Sequence, residues 1–248
     1  MGTLTIFVIR TVCAVNVAYN VWASRPTFRV EASGGSALAL SSSVWSRSRA
    51  KYVLFALLGL MTAFVVYKDE LFIFDHKSPD WAYFFPVRWP LLFHGLGGLV
   101  ALLSGPLQFS TRVRQRYLQF HRIVGRCYVG GVAVAALVSI YLFFVHFPNS
   151  ERVEGAFQAS WWVITTSMAL ICARSHNIAQ HKQWVVRSYA VTCFFVTSRV
   201  AFAVPPISHM HVTPQTLALF LWPMLAVTIV GTELAVQWPA IFPRNARH

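Results

Sequence analysis

From residue 89 onward the chain runs repeatedly for a bilayer's width without a formal charge. Residues 89–111, 127–150, 155–173 and 200–232 contain no Asp, Glu, Lys or Arg. About 20 apolar residues of helix cross the hydrocarbon layer, and the charges here gather in the gaps between such runs. The pattern predicts an all-α fold: a polytopic transmembrane helical bundle of six spans, or seven if the N-terminal segment also inserts.

Composition agrees with a chain dissolved in lipid. Hydrophobic residues make up 56% and charged residues 12%, against roughly 25% charged in an ordinary soluble domain. A length of 248 residues suits one bundle with no second globular domain. A net charge of +13 would suggest nucleic acid in a soluble protein, but here the charge is sorted by loop. Asp69, Glu70, Asp75, Asp80, Glu151 and Glu154 lie in two connections. Arg112, Arg114, Arg116, Arg122 and Arg126 crowd a third, while Arg174, Lys182 and Arg187 flank a fourth. Alternation of this kind follows the positive-inside rule. It puts the basic loops and the C-terminus on the cytoplasmic side, or the matrix side in an organelle. The lipid bilayer and its anionic headgroups are the expected partners, and nucleic acid is not.

Residues 1–50 form a separate unit, read as an interfacial helix, an extra span or a targeting segment, because Thr3–Ala23 is apolar yet holds Arg10, Asn16 and Asn20. The bundle covers 51–239, and 240–248 is a basic tail. Its spans are expected at Tyr52–Tyr67, Trp89–Phe109, Ile123–Phe147, Ala156–Ala173, Trp184–Val204 and Gln215–Trp238. Pro205 and Pro206 end the fifth, since proline cannot continue a helix. Tryptophans 81, 89, 161, 162, 184 and 238 fall near span ends, as an interfacial aromatic belt requires. Cys13, Cys127, Cys172 and Cys193 form no C-x-x-C pair and read as small buried hydrophobes.

Polar side chains are costly in lipid, so those within spans are expected to face protein or a bound group. In the second span His94, Gly98, Ala101 and Gly105 share a stripe at helical period, which Arg112 continues if the helix extends. The third span adds His121, Gly125, Tyr128, Ser139 and His146; the fifth adds His181, Ser188, Thr192 and Arg199. His121 and His181 both sit at the basic-loop ends of their helices, hence at one membrane depth, and His94 lies near the opposite face. Two histidines from neighbouring helices at one depth are suited to ligate heme iron axially, with nearby arginines neutralising the propionates. This assigns His121 and His181 as metal ligands of a heme b. His94, Tyr128, Arg122, Arg126 and Arg187 join them as cofactor-binding candidates. The competing reading makes the same groups helix caps, interhelical hydrogen bonders and headgroup contacts. Glu233, the lone acid within a span, is expected to pair with an arginine such as Arg126. Metalloprotease, P-loop, dinucleotide and nucleophile-elbow motifs are absent.

Three segments carry a resemblance: Leu92-Phe93-His94-Gly95-Leu96-Gly97-Gly98 with Ser104-Gly105-Pro106-Leu107-Gln108-Phe109; Phe120-His121-Arg122-Ile123-Val124-Gly125-Arg126-Cys127-Tyr128; and His181-Lys182-Gln183-Trp184-Val185-Val186-Arg187-Ser188-Tyr189-Ala190. Over about residues 50–238 the chain resembles the predicted multi-span membrane proteins gathered as domain-of-unknown-function 2306. Val186 stands where that pattern leads one to expect Met. The resemblance implies a membrane bundle and no activity. The layout is also similar, more loosely, to four-helix diheme b-type cytochromes, but His94 lacks an evident mate here, and His146 or His209 would have to supply it.

Three functions remain open at this point. One is a heme-binding electron carrier working with a quinone or another redox partner. Another is a non-catalytic membrane assembly or binding protein whose polar stripes lock helices together. The last is a membrane-embedded enzyme for a lipophilic substrate, with Glu233, His94 and Tyr128 as acid–base groups.

Overall fold

A computed structural model describes residue 53, residues 55–203 and residues 213–241. The segment 1–50, the Pro205-Pro206 stop, His209, His211 and most of the basic tail lie outside the described residues. Helix dominates, and no strand occurs among the described residues. The elements are α1 (Phe55–Lys68), α2 (Pro79–Phe84), α3 (Arg88–Gln108), α4 (Thr111–Arg116), α5 (Leu118–Val145), α6 (Asn149–Arg174), α7 (Ile178–Ala203) and α8 (Pro214–Ile241).

Five stretches are long and apolar enough to cross a membrane: Trp81–Gln108, Leu118–Val145, Arg152–Arg174, Ile178–Ala203 and Thr216–Trp238. The first expected span is shorter than its fellows. Its α-helical part, residues 55–65 of α1, would rise only about 16 Å at 1.5 Å per residue, short of a hydrocarbon layer about 30 Å thick. A π-turn at Val66–Glu70 and a 3₁₀ turn at Leu71–Phe74 then prolong it. The acidic connection expected between the first two spans is itself largely helical. Pro79 opens α2 at the first helical position, where its missing N–H costs nothing, and a 3₁₀ turn at Phe85–Val87 leads straight into α3.

The bundle is built around α7. In the most apolar stretch of α7, 72% of residues are buried, against 28–33% in the other four spans. From Val186 to Ser198 every residue but Phe195 is buried. The exposed large side chains belong to the surrounding helices: on α3, Trp89, Phe93, Leu96, Val100, Leu103 and Leu107 form one outward stripe at helical period. Lipid solvates that stripe, and the polar residues retreat to the centre.

α3 and α5 make the most extensive helix contact, and they meet backbone to backbone. A Cβ placed on Gly97 would sit 2.8 Å from the Gly131 carbonyl oxygen, and one on Gly131 would sit 2.6 Å from that of Gly97. Ala101 and Ala135, one turn further on, are fully buried. Each helix thus offers a small-x-x-x-small pair, the pattern that lets membrane helices approach closely. The expected stripe holds at His94, Ala101 and Gly105, but Gly97 takes the place expected of Gly98. Gly97 lies in the seam, whereas Gly98 has nothing near its Cβ position. Arg112 does not continue that stripe either, because α3 stops at Gln108 and Ser110 starts the separate α4 by accepting from the Val113 N–H at 3.3 Å.

Candidate functional site

The tight α6–α7 turn sets up one of the two histidines. His176 takes a positive φ of 60°, and the Asn177 side chain caps α7 by accepting from the Gln180 N–H at 3.2 Å. The chain so reversed lays the first turn of α7 against the last turns of α6. There His181 Nδ1 lies 2.8 Å from the carbonyl oxygen of Ala169. A carbonyl only accepts, so Nδ1 carries the proton and Nε2 presents its lone pair. This is the arrangement in which a ligating imidazole is commonly held.

His121 opens α5 and is half-buried. Its Nδ1 is buried without a hydrogen-bond partner among the described residues, and the ring is close enough to His181 for their charges to interact. Gln108, buried at the end of α3, steadies this corner by donating from Nε2 to the His121 carbonyl at 3.3 Å. A Cβ placed on Gly125, one turn on, would lie 3.4 Å from the oxygen of the same amide. The guanidiniums of Arg114 and Arg122 also act on the ring, and Arg122 and Arg126 are exposed around it. Two features here suit a heme iron: imidazoles within electrostatic range of one another, and a buried ring nitrogen left without a partner among the described residues.

Tyr128, two turns above His121, faces α7 and is buried. Its hydroxyl lies 2.7 Å from Ser188 Oγ and 2.9 Å from Thr192 Oγ1. Thr192 Oγ1 also accepts from Trp162 Nε1 at 3.0 Å, and Thr166 Oγ1 lies 2.7 Å from Ser188 Oγ. Three helices are stitched by this network. The sequence stripes contained Tyr128, Ser188 and Thr192 but missed Thr166, and Trp162, expected in the interfacial belt, is instead buried in the middle of α6. Tyr189 ties α7 to α3 by donating to the Leu102 carbonyl at 3.1 Å. Its ring occupies the space that a side chain at position 105 would need, which explains Gly105.

His94 sits elsewhere. Its Nδ1 is 2.9 Å from the Ala135 carbonyl oxygen, about 21 Å along α5 from His121 at 1.5 Å per residue. Of its two candidate mates, His146 lies roughly 16 Å further along α5 by the same rise, and His209 lies outside the described residues. His146 instead packs against Tyr83 and Phe84, with ring centroids 4.5 and 5.3 Å away.

The pairing of Glu233 is as expected in kind, but the partner is Arg187 and not Arg126. Arg187 Nε and Nη2 donate to the two carboxylate oxygens at 2.8 Å each, while Arg126 is exposed at the start of α5. Arg187 is thereby committed to α8, away from the paired histidines. Cys172 and Cys193 are buried as expected, whereas Cys127 is exposed; all three are free thiols. No cluster of three or more metal-ligating side chains occurs among the described residues.

The family of predicted membrane proteins DUF2306 matches residues 91–236, which is α3 from its first turn through nearly all of α8. The chain belongs to this family. The matched stretch contains the α3–α5 seam, the His121–His181 corner and the Arg187–Glu233 pair, and excludes α1 and α2. Neither a curated protein nor a solved structure matches the chain.

Proposed function

We propose that this DUF2306 protein is an integral membrane electron carrier that binds a b-type heme between His121 and His181. The observation that carries the reading is the pose of His181, proton on Nδ1 toward Ala169 and lone pair free, beside a second imidazole whose buried Nδ1 lacks a partner. Heme held there would supply a one-electron couple. The chain's own contributions are distinct. The Ala169 carbonyl fixes the tautomer of His181, Gln108 anchors the backbone at His121, and Arg122 and Arg126 offer positive charge to propionates at the membrane edge. A quinone or a soluble redox protein is the partner class. By the charge bias of the loops, the basic corner and the C-terminus lie on the cytoplasmic or matrix side.

A second reading, a non-catalytic assembly protein, draws on the Tyr128–Ser188–Thr192–Trp162–Thr166 network, whose polar atoms satisfy one another. Alanine replacement of His181 separates the two. A redox role predicts normal abundance with a lost or altered heme spectrum, whereas an assembly role predicts loss of the protein itself. The third reading, an enzyme using Glu233, His94 and Tyr128, loses its basis. Glu233 is tied to Arg187, Tyr128 is enclosed in its network and His94 bonds a different level of α5.

A further inference from the structure

Where α6, α7 and α8 meet, a small open crevice is lined by Trp161, Arg187, Val191, Thr228, Thr232 and Glu233. Its own room is about 10 Å³, on the order of one water molecule and far below the roughly 300–1,000 Å³ of pockets that swallow a whole drug-sized ligand. The hydroxyls of its wall are already engaged, because Thr228 and Thr232 donate to the carbonyls of Met224 and Thr228 at 2.8 and 2.6 Å. Arg187 is different. Its side chain is 9% exposed, its guanidinium stacks 4.7 Å from the Trp184 ring, and Nη1 is buried without a partner among the described residues. A buried charged donor left unpaired is costly, the more so in a membrane where no bulk water reaches it.

We propose that this crevice binds the carbonyl oxygen of a neutral lipophile that enters from the bilayer, with Arg187 Nη1 as the donor. The charge balance selects the class. Glu233 already neutralises Arg187, so an anionic ligand would add an uncompensated charge, whereas a carbonyl supplies the missing acceptor and no charge. Glu233 itself is 47% exposed, so the crevice opens beside it; its room takes a carbonyl oxygen alone, and the apolar body of the ligand stays outside in the lipid. Two sources offer this chemistry: the ring carbonyl of a quinone and the ester carbonyl of a phospholipid. The site is independent of the His121–His181 reading, and failure of heme to bind would leave it untouched.

The test uses the full chain purified in detergent. Native mass spectrometry reads retained phospholipid, and titration with a short-tail benzoquinone reads saturable binding. Arg187→Gln removes the donor. Ile229→Phe narrows the crevice from a half-exposed position and leaves the ion pair intact, so it decides the matter should the first variant fold poorly. Saturable benzoquinone binding that weakens about tenfold in the variants assigns a quinone site. A phospholipid adduct on the unaltered protein that is lost in the variants assigns an ester site. Quinone and lipid bound equally by unaltered protein and Ile229→Phe, or neither bound saturably, overturns the proposal and leaves Nη1 to water.

Discussion

α5 meets its two neighbours in opposite ways. Against α3 it closes to backbone contact at Gly97 and Gly131, with Ala101 and Ala135 continuing the seam. Toward α7 it stands off. The two helices barely meet through their backbones and are joined by long side chains, above all the Tyr128 hydroxyl that reaches Ser188 and Thr192. A closed seam gives rigidity and no room. A propped one keeps the backbones apart, and at the basic-loop ends of these two helices lie His121 and His181. In lipid there is no hydrophobic force to squeeze helices together, so small residues and hydrogen bonds decide which interfaces close.

The largest effect is expected where the seam is tightest. Gly131→Leu forces the side chain into the α3 backbone and should cost about 1–3 kcal/mol or more, seen as lost thermal stability and lost monodisperse protein in detergent. Gly98→Ala, on the facing helix α3 with open space at its Cβ position, should lie within about 0.5 kcal/mol of the unaltered protein. Equal outcomes for the two would erase the distinction between seam and surface.

Next comes the prop. Tyr128→Phe leaves the ring and removes the hydroxyl shared by Ser188 and Thr192, and should cost about 0.6–2 kcal/mol. A cost as large as that of Gly131→Leu would mean that α5 and α7 are held as tightly as α5 and α3.

The smallest effect belongs to the far end of α5, where His146 packs on α2. Burial among Tyr83, Phe84 and Phe147 holds its pKa below the ordinary value of 6.5. The folded protein therefore takes up this proton less readily than the unfolded chain. Its contribution is intact above about pH 6.5 and declines as the pH falls below that value. The unaltered protein should lose slightly more thermal stability between pH 7.5 and 5 than His146→Phe does. An identical pH response would place His146 in an unstrained, water-like setting.

The spans and the retreat of polar residues to the centre were legible in the sequence. Each follows from charge placement and helical rise, which are local quantities. The place of Gly97 rather than Gly98 in the seam was not, because adjacent glycines both fit a stripe until the neighbouring helix is known. The Gly131-x-x-x-Ala135 pattern on α5 was the available clue. Arg187 as the partner of Glu233 was hidden for a related reason. Depth alone makes Arg126 and Arg187 equivalent, and only the packing of α7 against α8 separates them. Nor did hydropathy single out α7 as the central helix, although its concentration of Ser, Thr and Arg within a span already pointed inward. The helical build of the acidic connection was masked by its charge.

The most direct test of the proposed heme site at His121 and His181 is the visible spectrum of the protein purified after heme-replete expression, recorded oxidised and then reduced with dithionite. The account predicts a Soret band that sharpens and shifts on reduction with resolved α and β bands, as low-spin iron between two imidazoles gives. A purified, folded protein without Soret absorbance in either state would contradict it.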